Sequence, residues 1–201
     1  MSSTPSTPNF DGKRALVLHR PHQLVDALAR QLHQLGMSSE ATWPELPAAL
    51  DPAGFDCFIY DADMGHDGQV PWQPGLAPFP SIALIGSEAP GRLAWAIRQG
   101  ADAHLLKPIG SGGVYAALVI ASEGFARRAA MAAELATLRH RLERRQLVAE
   151  ATACLMVQCD VSADAAFDRL RRDAMTERLS IEEMAERVVA RLRSAHVRDR
   201  A

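Results

Sequence analysis

A chain of 201 residues, 48% of them hydrophobic and with a net charge of -2, can bury a proper core and is long enough for two units. No run of about 18 apolar residues occurs, so a helical membrane span is excluded. Residues 1–9 have neither a basic start nor an apolar stretch, so residues 1–10 read as a disordered leader and not as a signal peptide. Cys57, Cys154 and Cys159 are odd in number and lack metal-type spacing, so they read as reduced thiols of a cytoplasmic protein, with no metal or cofactor expected.

All 12 prolines lie at or before Pro108, and 12 of the 13 glycines at or before Gly113. Helix breakers therefore vanish near residue 114, which bounds a first unit at residues 11–113. Within it, Arg14 to Leu18 reads as a strand and Gln23 to Leu35 as a helix stopped by Gly36. A weak strand around Ser39 to Thr42 follows, then apolar runs at Cys57 to Tyr60 and Ile82 to Ile85, a helix from Gly91 to Gln99, and a last strand from Ala103 to Leu106. The Gly- and Pro-rich stretch from Met64 to Pro80 leaves the helix expected there short or missing. Such alternation predicts an α/β unit with a parallel sheet wrapped by helices.

This unit resembles a response-regulator receiver domain, which implies a flavodoxin-like sheet. Asp61, at the end of the Cys57 run, falls on the phospho-acceptor position, and Lys107-Pro108 matches the family's Lys-Pro pair. The departures weigh more. His19 and Arg20 stand where the acidic pair that holds Mg²⁺ should follow the first strand, and Ile85 replaces the hydroxyl residue ending the fourth. A hard octahedral cation needs more oxygen ligands than Asp61 and Asp63 supply, so phosphorylation is not expected. Asp61 and Lys107 are then expected to form a retained structural ion pair.

From Val114 to about Gln158 only Gly124 interrupts a helical pattern, at a cost of about 1 kcal/mol. Met131, Leu135, Leu138 and Leu142 step by four, three and four, an a/d seam, so residues 114–149 read as a long coiled-coil helix. That seam either pairs with a second copy or packs on its own receiver; a homodimer is the expectation.

The remaining chain divides at Asp160 to Ser162 and Glu177 to Ser180 into three apolar-striped helices, with Ser180 and Glu183 at capping-box spacing. Arg145, Val148, Ala151, Leu155 and Met156, followed by Ala166, Phe167, Leu170, Arg171, Ala174 and Met175, resemble the signature of the ANTAR domain of transcription antitermination regulators. Thr152 departs from the usual Lys of that signature, and Ala153 from the Gly of many members. The bundle is bounded at 150–192, its signature begins at 145, and 193–201 reads as a flexible tail. The resemblance implies an RNA-binding, non-enzymatic regulator that binds a hairpin-containing leader mRNA and prevents the terminator from forming. It acts on RNA polymerase only indirectly. A ligand-sensing regulatory protein, as in the amide-responsive antiterminators, would control it in place of phosphate.

Charge supports the division: residues 1–120 hold 7 Lys and Arg against 11 Asp and Glu, whereas 121–201 hold 15 against 13, and all 15 cations are Arg. Arginine's planar fork suits phosphates and base edges. With Phe167 taken as the centre of a buried stripe, Arg169 and Arg172 point outward and Arg171 snorkels or pairs beside the core. Arg145, Arg169, Arg172 and Arg178 are thus the candidate RNA contacts. The competing reading is a DNA-binding response regulator, with the helices around Glu177 to Ser180 as a helix-turn-helix. Glu182, Glu183 and Glu186 on the second of those helices argue against it in a major groove.

Overall fold

The computed structural model describes residues 8–198, with side chains to residue 191. Residues 1–7 of the expected leader and 199–201 of the expected tail lie outside the described residues. Two compact units divide between Ala130 and Met131.

In the first unit, β1 (Arg14–Leu18), β2 (Ser38–Thr42), β3 (Cys57–Asp61), β4 (Ser81–Ile85) and β5 (Ala103–Leu106) form one parallel sheet in the order β2-β1-β3-β4-β5. That is the flavodoxin-like order expected of a receiver fold. β3 and β4 are buried along their whole length, as central parallel strands covered on both faces must be. Helix α1 (Gln23–Gln34) and the start of α3 (Val114–Cys159) close one face, with Leu28, Leu32, Val114 and Leu118 against Val17, Ile59 and Ile82. The other face meets α2 (Pro90–Arg98).

No helix forms between β3 and β4. Instead Trp72 and Phe79, from the Gly- and Pro-rich connection, pack edge-on to each other at 5.3 Å. Trp72 also meets the ring of Phe58 on β3 at 5.3 Å. As the Gly- and Pro-rich stretch predicts, the helix is missing, and aromatic area covers the sheet in its place.

The second unit is built by caps. The backbone of Asp160 turns left-handed (φ 51°) after α3, and Ser162 then caps α4 (Ala163–Glu177) by accepting from the Ala165 amide at 3.3 Å. Arg178, with φ 56°, ends α4 in the left-handed conformation that satisfies its last carbonyls. Ser180 and Glu183 close a reciprocal capping box at the start of α5 (Ile181–Arg198), at 3.2 and 2.7 Å. The helix continues past the expected boundary at 192. Ala151, Leu155, Ala166, Leu170, Ala174, Met184, Ala185 and Val189 form the core of this unit. Thr152, in the place of the signature Lys, turns its hydroxyl inward to the Val148 carbonyl at 2.8 Å.

Candidate functional site

Parallel strands bring the residues at their carboxyl ends to one edge, and here those residues are His19, Asp61, Gly86 and Lys107. They line a cleft of about 420 Å³ with Arg20, His22, Asp63 and Met64. Asp61 is buried, and both of its oxygens are engaged. His19 Nε2 lies 3.1 Å from Oδ2, while Lys107 Nζ and the Asp63 amide reach Oδ1, the amide at 2.9 Å. The expected Asp61–Lys107 pair is thus present, within a larger network. His19 Nδ1 faces the Arg20 carbonyl at 2.6 Å, so both ring nitrogens face acceptor oxygens. His22 is occupied otherwise, as the cap of α1 through Nδ1.

Asp63 has a role that local sequence pattern does not reveal. Its carboxylate accepts from the Gly86 amide at 2.8 Å and the Ser87 amide at 3.0 Å, and pairs with Lys107 at 2.9 Å. A Cβ at position 86 would come within 2.7 Å of that carboxylate, so any larger residue there would have to displace it. Partial burial opposes its ionisation, but Lys107 and the two amides outweigh it and hold the Asp63 carboxyl below its ordinary value. The carboxylates that a Mg²⁺ ion would need are therefore spent on His19, Lys107 and backbone amides, and the residues present do not fit that ion. Among the described residues no cluster of three or more His, Cys, Asp or Glu could hold a metal. Cys57 is buried in β3, and burial first, then Asp56, pushes its thiol up to about 12, so it is not a nucleophile.

The second unit corrects the expected helix geometry. Phe167 is not the centre of the buried stripe: it is 42% exposed, whereas Ala166 and Leu170 are fully buried. The stripe follows Ala166, Leu170 and Ala174 at four-residue steps, since small alanines let neighbouring helices approach closely. At 3.6 residues per turn, Phe167 and Arg171 lie on one flank, about 60° and 100° from Leu170. Arg169 lies about 100° the other way and Arg172 at the outer face. Arg171 is therefore exposed and not snorkelled against the core.

Of the predicted contacts, Arg145 lines a cleft of about 380 Å³ with Arg141, Arg144, Val148, Phe167, Ile181 and Glu182. Arg169 stands apart, reaching the Cys159 sulfur at 2.9 Å and, weakly, Asp173 at 3.9 Å. Arg172 and Arg178 are exposed, the latter at the left-handed end of α4. Centring the stripe on Phe167 placed that ring in the core; recentring it on the Ala166–Leu170–Ala174 spacing puts Phe167 and Arg171 together on one exposed flank of α4. The seam residues Met131, Leu135, Leu138 and Leu142 are all more than half exposed.

Residues 13–122 match the family described as AmiR, N-terminal, and residues 136–189 match the ANTAR domain. The chain is 34% identical over 93 residues to the transcriptional regulatory protein PdtaR of Mycobacterium tuberculosis, covering 46% of this chain and 45% of that protein. The chain thus spans about half the length of the curated relatives it matches. Among solved structures, a response regulator CheY-like protein from Mesorhizobium loti is 17% identical, with 54% of this chain and 98% of that one covered and a TM-score of 0.42. Full-length FixJ from B. japonicum is 18% identical, with 90% and 98% covered and a TM-score of 0.41. Likenesses at this level carry no argument, and the fold rests on the strand order itself. With more than half its length matched by one family and its C-terminal helices by the other, the chain belongs to the AmiR N-terminal family and carries an ANTAR domain, the make-up of a regulatory, RNA-binding antitermination family and not of an enzyme family.

Proposed function

We propose that this chain binds a hairpin-containing leader mRNA through its ANTAR bundle and keeps the terminator from forming, so that RNA polymerase is affected only through the transcript. The observation that carries this reading is the ANTAR bundle at 136–189, whose exposed cations are all arginine. Arg145, Arg169, Arg172 and Arg178 contribute to the RNA surface. The exposed seam from Met131 to Leu142 joins two copies as a coiled coil, because an apolar stripe of that spacing is stable only when covered.

Control comes from a ligand-sensing protein partner and not from phosphate. The closed network around Asp61 supports this, since both oxygens of the acceptor carboxylate are already engaged. No helix among the described residues is long and apolar enough to cross a membrane, in keeping with a cytoplasmic site of action. A gel shift comparing 5′ leader transcripts of the neighbouring genes with their promoter duplexes tests the reading. Retardation of a leader RNA at a concentration that leaves the duplex free is expected. Preference for the duplex would overturn it in favour of a DNA-binding regulator.

A further inference from the structure

The cleft around Phe167 is unlike the rest of the bundle surface. Phe167 is the only Phe, Tyr or Trp after Ala130 in the sequence, and its ring is exposed although the adjoining Ala166 and Leu170 are fully buried. Val148 and Ile181 supply apolar wall beside it, and Arg141, Arg144 and Arg145 supply the guanidinium groups. Glu182 is the one carboxylate in the lining, and Arg144 pairs with it at 3.0 Å. Arg141 and Arg145 are exposed and have no carboxylate partner among the described residues. Arg171 extends from the same flank of α4, four residues on from Phe167. At about 380 Å³ the cleft falls within the roughly 300–1,000 Å³ that small organic groups occupy.

A flat apolar ring edged by unpaired guanidinium groups matches one chemistry well: a planar, uncharged base attached to a phosphate backbone. Sequence-selective RNA recognition uses loop bases turned out of the stack onto an aromatic or guanidinium plane. We infer that the cleft receives a single unstacked nucleobase of an RNA loop on the Phe167 ring, with Arg141 and Arg145 holding the flanking phosphates. This rests on the RNA-binding reading proposed above and adds a base-reading position to it. A protein side chain seated in the same cleft is the competing occupant, and the test separates the two.

The full chain is used to enrich hairpins from an RNA pool with a fixed stem and a randomised loop, and the enriched hairpin is remade with 2-aminopurine at each loop position in turn. Phe167→Leu keeps an apolar side chain but removes the π face, whereas Phe167→Trp keeps it. Wild type is expected to change the fluorescence strongly at one loop position. Phe167→Leu is expected to lose affinity at least about fivefold, the lower end of base–aromatic stacking, and Phe167→Trp to retain it. The salt slope should stay unchanged in Phe167→Leu and flatten by about 0.7 units in Arg145→Ala, because only the latter removes a phosphate contact. If wild type enriches no hairpin, the RNA-binding reading itself fails. If wild type binds a hairpin and Phe167→Leu binds it equally well, the base-receiving cleft alone is overturned, and the exposed ring belongs to a protein contact.

Discussion

The two units hold their charge in opposite ways. At the carboxyl edge of the sheet, His19, Asp61, Lys107 and Asp63 answer one another, and Asp63 also takes up the amides of Gly86 and Ser87. On the bundle, Arg141, Arg145, Arg171, Arg172 and Arg178 have no carboxylate partner among the described residues. A donor already matched by an internal acceptor has little to gain from a ligand, because binding must first break what is there. An unmatched guanidinium on a surface is open to a polyanion at no such cost. On the proposed reading, the first unit is then expected to leave an anion little to bind, and the second to offer a polyanion an open surface.

The seam offers the largest test of this contrast. If the seam joins two copies as proposed, Leu135→Glu with Leu142→Glu places like charges opposite each other in a formerly dry interface. Sedimentation should turn from dimer to monomer, while the first unit melts as before. A dimer that survives both substitutions would place the interface elsewhere.

Next in size is the core of the bundle. Leu170→Ala empties a fully buried site, and such truncations cost about 2.7–5 kcal/mol, enough to unfold a small unit. Phe167→Ala removes a ring already facing solvent, so its cost should be less than half as large. Thermal melts of the two variants sharpen the distinction between core and surface on adjacent turns of one helix. Equal losses would return Phe167 to the core.

That distinction also marks where the sequence is legible. The sheet order, the missing helix after β3 and the caps at Ser162 and Ser180 follow from local rules, namely the alternation of elements, a Gly- and Pro-rich stretch, and short-range side-chain hydrogen bonds. Phe167 escaped those rules because the largest apolar residue of a stripe is a natural choice for its centre. The tight helix approach is set instead by Ala166 and Ala174, residues too small to dominate a hydrophobic pattern. Asp63 escaped for another reason. Its amide partners lie beyond the whole β3–β4 connection, so nothing near it in sequence announces them.

The Arg169 and Arg172 pair gives a smaller, more specific effect. Surface Arg→Ala changes typically alter stability by within about 0.5 kcal/mol. Removing both should weaken leader-RNA binding at least tenfold, about 1.4 kcal/mol, and flatten its salt dependence, with the melting temperature nearly unchanged. Wild-type affinity and slope in the double variant would confine the RNA surface to the Arg145 flank.

The smallest expected effect is none at all, and it probes the closed unit directly. Phosphoryl transfer to Asp61 requires a free carboxylate oxygen, a metal ion to neutralise developing charge, and donors for the incoming phosphoryl oxygens. His19 and Lys107 engage the two oxygens of Asp61, and Asp63 has taken up the Gly86 and Ser87 amides together with Lys107. The groups that phosphoryl transfer would use are thus already engaged within the chain. Incubation with acetyl phosphate and Mg²⁺, followed by intact mass, should show no added phosphoryl group in wild type. Asp63→Ala should be equally unmodified, because freeing the amides and one partner of Lys107 still leaves His19 on Asp61 and supplies no metal ligand. A stoichiometric adduct on wild type that disappears in Asp61→Asn would show that the network opens, and the line between a closed and an open unit would then have to be redrawn.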